Sequence, residues 1–467
     1  MDNMIVRLSS LTLENIKNVS NGTVYIPNTV PIKKSFSAGI LGLYGQNGSG
    51  KTAVIDALHF LQQIMIGLEL PSEIKDYIDE QKNHAKINAE FVLSDLENDI
   101  LYEVGYSVLF SKDMEDVFID REYLNCAITR GGKRSNKNIF MDFQRSDHGN
   151  IFKPQKRLEE LISQSKDTLM DLMVARKMAE KSNSSYIFGE SSREIFCRQY
   201  DNNFSSYATV IRTLFRFALR DLFVIRNTHS GMITANFVLP MAFRIDKKNM
   251  GAKGDFAIPL TSPVTLSAEK RELLEVIVSQ INTVLYTIIP GMNIEVRNYG
   301  QQSLDSGKDG WKVELMSVRQ GHNPIPIRME SEGIIKIISI LNALIQAFGN
   351  PSICLAIDEL DAGIYEYMLG ELLSIFQDSA KGELIFTSHN LRALEMLNKE
   401  SIMFSTTNPD HRYIHMKNVK GSNNLRDTYI RSILLGGQNE SVYEPTDSLK
   451  IARAFRIAGR SVQNEQS

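Results

Sequence analysis

The sequence predicts an α/β fold with a mixed central sheet, an antiparallel accessory sheet and an inserted, mainly helical segment. Three observations lead there. The octet Gly45-Gln46-Asn47-Gly48-Ser49-Gly50-Lys51-Thr52 matches the phosphate-loop pattern G-x-x-x-x-G-K-[ST]. Far downstream, the continuous apolar run Ile353-Cys354-Leu355-Ala356-Ile357 ends in Asp358-Glu359, as a strand buried on both faces would. After a further helical stretch, Glu383-Leu384-Ile385-Phe386-Thr387-Ser388-His389 reads as another buried strand with a polar tip.

The octet stands in the context that gives such a motif its meaning. The apolar run Ile40-Leu41-Gly42-Leu43-Tyr44 precedes it, and Val54, Ile55, Leu58, Leu61 and Met65 recur behind it on one helical face. Its glycines let backbone N–H groups approach phosphate oxygens without a Cβ in the way, and the helix that follows adds its positive end. Lys51 is expected to reach the β/γ-phosphate oxygens, and the Thr52 hydroxyl to ligate Mg²⁺ of a bound ATP. An acid at the C-terminal tip of a buried strand lies in the crevice where open α/β sheets bind ligands. Asp358 is therefore expected to order the metal and Glu359 to activate water, although two carboxylates after a strand also make an ordinary solvated turn. His389, at the neighbouring tip, is expected to sense the γ-phosphate; a lone histidine there is otherwise structural.

Periodicity divides the chain in three. Residues 1–150 hold the octet and its helix, then alternating segments (Lys86–Leu93 and Ile100–Leu109) that read as antiparallel accessory strands. Residues 151–290 turn helical, with Leu158, Leu161, Ile162, Leu169, Leu172 and Met173 at three- and four-residue spacing, and Val210 to Leu222 repeating it. They read as a projecting, partner-binding arm, the alternative being helices that cover the sheet. Residues 291–467 return through strands near Ile294 and Trp311–Met316. Arg130-Gly131-Gly132-Lys133-Arg134-Ser135 reads as a basic hairpin tip.

In this order the pieces resemble the ATP-binding-cassette type of head found in SMC-like, RecF-like and overcoming-lysogenisation-defect-type ATPases. In that class a signature segment acts on the nucleotide of a partner head. The resemblance implies that Ser331 and Gly333, in Arg328-Met329-Glu330-Ser331-Glu332-Gly333, complete a neighbour's ATP site, although the full LSGGQ pattern is absent. It also implies that Leu360-Asp361-Ala362-Gly363 is the D-loop, with Asp361 at the shared seam, and makes Gln144 the candidate Q-loop residue. A homo-oligomer, dimeric or higher, follows, because each chain supplies both halves of the composite site.

The opening Leu11-Thr12-Leu13-Glu14-Asn15-Ile16-Lys17-Asn18, the segment Thr387-Ser388-His389-Asn390 and the tail Tyr429-Ile430-Arg431 … Leu435-Gly436-Gly437 resemble AAA-like ATPases of prokaryotic defence islands. Within these, the length looks most like the ATPase subunits of the PARIS anti-phage system. That resemblance implies a separate TOPRIM-type nuclease effector and a phage-encoded trigger protein as partners. No D-x-D pair occurs in the chain, so a TOPRIM activity would belong to another polypeptide. The alternative is a RecF- or SMC-like repair ATPase that clamps DNA.

Composition narrows the field. At 467 residues with net charge −3, the chain is long enough for two or three domains and carries no wholesale basic coat. Cys126, Cys197 and Cys354 form no metal or disulfide spacing, and His411 and His415 lack the glutamate of a zinc motif. Neither a signal-peptide apolar region nor a membrane span is expected, since Lys336 and Asn342 interrupt the greasiest stretch; the expected home is the reducing cytoplasm. Lys450, Arg453, Arg456 and Arg460 recur along a C-terminal helical stretch, a stripe suited to nucleic acid or an acidic protein, or simply a solvated face.

Overall fold

The computed structural model describes residues 4–79, 81–113, 116–147, 149–163, 167–200, 202, 204–227, 238–247, 250–304, 307, 309–417 and 425–464. In chain order the strands are β1 (Ile5–Ile16), β2 (Val19–Tyr25), β3 (Gly39–Tyr44), β4 (His84–Asp95), β5 (Ile100–Asp113), β6 (Asp116–Arg130), β7 (Lys133–Arg134), β8 (Asn138–Gln144), β9 (Leu222–Ile225), β10 (Val238–Lys247), β11 (Met250–Pro259), β12 (Val264–Leu266), β13 (Met292–Ser303), β14 (Asp309–Arg319), β15 (Ile325–Pro326), β16 (Cys354–Ile357), β17 (Glu383–Thr387), β18 (Ile402–Ser405) and β19 (Tyr413–Ile414). Helices are named by their residues.

The architecture is α/β. The central sheet has the order β19-β18-β3-β17-β16-β9, parallel throughout except for β19, which runs antiparallel to β18. Alternate side chains of its inner strands face opposite ways, and both faces are covered. Leu41, Leu43, Ala356 and Ile385 join the core built with helix Lys51–Met65. Ile40, Leu355, Ile357, Leu384 and Phe386 join the core built with helix Glu366–Ser379. Burial on two sides is why these strands read as unbroken apolar runs rather than as alternating ones. Each of the leucines, isoleucines and the phenylalanine contributes roughly 1.5–3 kcal/mol when fully buried.

The accessory sheet is antiparallel, in the order β2-β1-β4-β5-β6-β7 with β8 also on β6. The basic hairpin tip lies where expected, between β6 and β7, and Arg134 pairs with Glu103 on β5. A third sheet, β12-β14-β13 with β15, packs with helices Ala268–Ile288 and Glu332–Gly349 through Leu274, Ile281, Leu315, Ile335 and Ile338.

Residues 151–290 do not project as a helical arm. Helices Lys156–Ile162, Thr168–Lys181, Glu190–Phe196 and Phe204–Arg216 bury Leu161, Leu172, Phe196, Phe204 and Leu214 in the same core as the accessory strands. Their apolar faces cover the sheet, because one face of an antiparallel sheet must otherwise meet water. The same stretch supplies β9 to the central sheet, the β10–β11 hairpin and β12, so it is not mainly helical throughout. Helix Thr168–Lys181 keeps a second apolar face outward, with Met170, Met173 and Met178 exposed.

Helix Glu332–Gly349 is long and apolar enough to cross a membrane, but about two-thirds of it is buried in the protein. Helix Ser448–Asn464 carries the basic stripe, with Lys450, Arg453 and Arg456 exposed; the side chain of Arg460 lies outside the described residues.

Candidate nucleotide site

Because β3, β17 and β16 are parallel neighbours, their C-terminal tips meet at one sheet edge, and the hydrogen-bond ladder continues past the strands. Ser388 N donates to Leu43 O (3.2 Å), Leu360 N to Thr387 O (3.0 Å) and Asp358 N to Ile225 O (2.9 Å). The edge thereby gathers the octet, the acid tip and His389 around an open cleft of about 410 Å³, which Lys51, Thr52, Glu359, Thr387 and His389 help line.

Within the octet, Gly50 stands at φ 90° immediately before helix Lys51–Met65, a left-handed conformation that disfavours any side chain. The Lys51 ammonium folds onto its own loop, donating to Gly45 O (2.8 Å) and Gln46 O (2.9 Å). Burial pushes its pKa down to about 8, against the opposing pull of Asp358, Glu359 and Asp361. The Ser49 hydroxyl turns away from the cleft: it donates to Gln46 O (2.5 Å) and contacts the Ser405 hydroxyl, so only its backbone faces an anion. Gln46 also works outside the cleft, its Oε1 accepting from Glu444 N (2.9 Å).

Asp358 is almost fully buried and lies against Thr52, whose Oγ1 is 3.3 Å from Asp358 Oδ1. Thr387 Oγ1 donates to the same carboxylate oxygen (2.6 Å) and accepts from Glu359 N (2.7 Å). One hydroxyl thus fixes both acids. The hydroxyl of Thr52 and the carboxylate of Asp358 are hard oxygen donors, the set that suits a magnesium ion taking its remaining ligands from phosphate and water. Among the described residues no cluster of three or more His, Cys, Asp or Glu could hold a metal alone.

Glu359 is half-buried with φ 50°, a region costly for a side chain with a Cβ, and is held there by Thr387 and by Lys336, whose ammonium donates to Glu359 O. Non-glycine residues held this way cluster at functional sites, a signal no sequence pattern carries. His389 is exposed at the cleft; partial desolvation and then the Lys51 charge lower its pKa, which favours the neutral ring, able to donate one hydrogen bond. Asp361 Oδ2 accepts from His389 N (2.9 Å), tying the Leu360–Gly363 segment to the histidine tip within one chain.

Ser331 is exposed at the N-terminus of helix Glu332–Gly349, with no capping bond from its side chain. Gly333, the second residue of that helix, is buried where an added Cβ would lie 1.8 Å from Gly363 O. That position must be glycine for the Leu360–Gly363 segment to pack on the helix start. Neither residue lines the cleft of its own chain. Gln144 is not at the cleft either. It ends β8 on the accessory sheet, paired with Arg121 of β6, because the segment after it packs onto that sheet rather than returning to the nucleotide edge.

The structure adds residues that spacing did not single out. Lys17 and Asn18 line the cleft. Lys17 Nζ lies 2.5 Å from buried Asp56 and 4.3 Å above the Tyr77 ring, and Arg226, at the tip of β9, lies 3.3 Å from the same carboxylate. Burial pushes the Asp56 carboxyl up, while Lys17 and Arg226 pull it down. On the other flank, Tyr413 donates to Gly50 O (2.6 Å) and Arg412 to Asn18 O and Thr406 O, bracing the loop from the last strands. The resemblance at Ile16-Lys17-Asn18 was the only sequence hint of any of these.

Residues 40–161, which include the octet and strands β4 to β8, match the family described as "AAA domain, putative AbiEii toxin, Type IV TA system". No curated protein matches the sequence. Among solved structures, the chain is similar to the SMC head domain from Thermotoga maritima at 11% identity and TM-score 0.38, over 88% of this chain and 99% of that one. It is similar also to the Smc head domain derived from Pyrococcus furiosus, solved with an extended coiled coil and bound to the C-terminal domain of ScpA. There the identity is 13% and the TM-score 0.40, over 88% of this chain and 96% of that one.

Proposed function

We propose that the protein is a magnesium-dependent ATPase whose ATP sites are completed between copies of the chain, and that it acts as the sensor and scaffold of an anti-phage defence system. The observation that carries the ATPase reading is the single cleft lined by Lys51, Thr52, Glu359 and His389, with Asp358 fixed 3.3 Å behind Thr52. In this reading the amides of Gly48 to Thr52 and the Lys51 ammonium hold the triphosphate. Thr52 and Asp358 hold magnesium, whose charge offsets that of the phosphates when bound. Glu359 orients the attacking water and accepts its proton, and His389 donates to the terminal phosphate. Ser331, at the exposed helix start, and Asp361 contribute to the neighbour's site, with Gly333 setting the helix start against the D-loop. Nucleotide then favours a homodimer or higher assembly, and hydrolysis or trigger binding releases it.

A separate TOPRIM-type nuclease and a phage-encoded trigger are the proposed partners. The exposed methionines of helix Thr168–Lys181 provide the adaptable apolar surface a protein partner can use. Purification from cells carrying the neighbouring genes is expected to bring a nuclease subunit along, and infection to release it. The second reading, a DNA-clamping ATPase, rests on the basic stripe of helix Ser448–Asn464. It expects instead turnover stimulated by duplex DNA and binding that weakens steeply with salt.

Two further results are expected of the site itself. Thr387→Val removes the bond to Asp358 and the acceptor for Glu359 N, and should raise the Mg²⁺ concentration for half-maximal turnover about tenfold; an unchanged titration contradicts the role given to Thr387. ATP binding should also take up a proton near pH 8. The empty site holds Lys51 at about 8, the triphosphate raises that value, and the bound state therefore carries more protons. Affinity should then fall as pH rises through about 8, with a fraction of a proton taken up there. Calorimetry in two buffers of different ionisation enthalpy reads this directly, and zero uptake contradicts it.

A further inference from the structure

We infer that Lys336 is a positioning residue for the hydrolytic step: its ammonium holds the backbone of Glu359 in the conformation that aims the carboxylate into the nucleotide cleft. The inference rests on the reading of Glu359 as the group that orients the attacking water. It adds a residue outside the cleft on which that orientation depends. Lys336 itself does not line the cleft. It is the fifth residue of helix Glu332–Gly349 and only 7% exposed.

A lysine is rarely buried unless its ammonium is paired, because the charge loses its water. Here the ammonium donates to Glu359 O. The charges of Asp361, Glu359 and Asp358 act on it against the effect of burial. The same helix start touches this segment a second time. Gly333 and Lys336 are three residues apart and therefore share a face. Gly333 packs where an added Cβ would strike Gly363 O, while Lys336 reaches Glu359 O. One helical face thus grips both ends of the turn from Glu359 to Gly363.

Glu359 is where such a grip has consequences. Strand β16 ends at Ile357, and Asp358 N still continues its ladder by donating to Ile225 O (2.9 Å). Glu359 has left the ladder: its φ is 50°, and its amide donates to the Thr387 hydroxyl (2.7 Å). Its carbonyl accepts from Ala362 N (3.0 Å) and from Lys336. The bond from Ala362 closes the turn but sets no φ at the turn's first residue. The two side-chain bonds are left to hold the left-handed backbone, and the one from the ammonium is charge-assisted, roughly twice as strong as a neutral bond. Rotation of Glu359 toward negative φ would swing its Cβ and carboxylate together. A misplacement of about 1 Å can cost about a hundredfold in rate. Thr387 also binds Asp358 Oδ1 and so serves the metal side as well, whereas the bond from Lys336 goes to Glu359.

Lys336→Met in the full chain keeps the buried stem, removes the ammonium and leaves Glu359 O its bond from Ala362, so no carbonyl is orphaned. Turnover at saturating ATP is expected to fall about ten- to a hundredfold, with ATP affinity within a few-fold of wild type. The Mg²⁺ concentration for half-maximal turnover should not rise, because removing a positive charge near Asp358 cannot weaken a cation bound there. Single-turnover rates of Glu359→Gln with and without Lys336→Met should be equal, since Lys336 acts through that carboxylate. Full turnover in Lys336→Met, a loss of turnover matched by a loss of ATP affinity, a higher Mg²⁺ requirement, or a further fall in the double variant overturns the proposal. Glu359→Gln turning over like wild type would sink the underlying reading too; slow Glu359→Gln beside full-rate Lys336→Met sinks this proposal alone. Should the methionine variant misfold, Lys336→Gln, too short to reach the carbonyl, carries the same expectations.

Discussion

Lys51→Ala is expected to weaken ATP binding by about a hundredfold or more, a loss of about 3 kcal/mol, with little change in thermal stability. Lys51 is 7% exposed, and its ammonium hydrogen-bonds to the carbonyls of Gly45 and Gln46, both within its own loop. It joins no other part of the fold, and burial already depresses its pKa to about 8, so the empty protein gains little from its charge. The whole benefit of that charge appears when the triphosphate arrives. Calorimetry with ATP, alongside a melting curve, checks both halves. Unaltered affinity would falsify the assignment of the octet as the phosphate site.

Glu359→Gln is expected to leave ATP binding within a few-fold of wild type while lowering turnover by about 10²–10⁴, the range for loss of a positioned general base. The amide keeps the shape that the unusual backbone at φ 50° demands, so the strand tip should stay in place. Thr387 Oγ1 can still accept from the backbone amide, and Lys336 can still reach the carbonyl. Bound but unhydrolysed ATP should then prolong the ATP-dependent assembly, read as a longer-lived high-mass species by light scattering. Equal, near-background rates in both proteins would instead describe a head that binds nucleotide without consuming it.

Particular residues show what could be read before the structure. The runs Ile40–Tyr44, Ile353–Ile357 and Leu384–Phe386 were legible as central strands because burial on both faces removes every polar position from them. With the strands placed, the octet, Asp358 and His389 had to fall at one sheet edge. β9 was not legible, since four residues directly after a helical pattern give no period to detect. The helices of residues 151–290 showed their apolar faces plainly, but a face does not say what covers it, and an arm and a sheet cover share one pattern. Thr387 and the Lys17–Asp56–Arg226 cluster were hidden for another reason. Their partners lie 29, 39 and 170 residues away: the register of β17 beside β16 brings Thr387 to Asp358, and the packing of helix Lys51–Met65 against β1 and β9 brings Lys17 and Arg226 to Asp56. Gln144 follows the octet along the chain, but order along the chain does not fix which sheet a residue joins.

The central claim is that each ATP site draws Lys51 from one chain and Ser331 from another. Two inactive proteins, Lys51→Ala and Ser331→Arg, are each purified and assayed, then mixed in equal amounts. In a shared-site dimer the mixed pair rebuilds one intact site from the undamaged halves, so turnover should return to about a quarter of the wild-type rate, half the dimers being mixed and each holding one working site of two. A mixture that stays at the background of its components would contradict sites shared between chains.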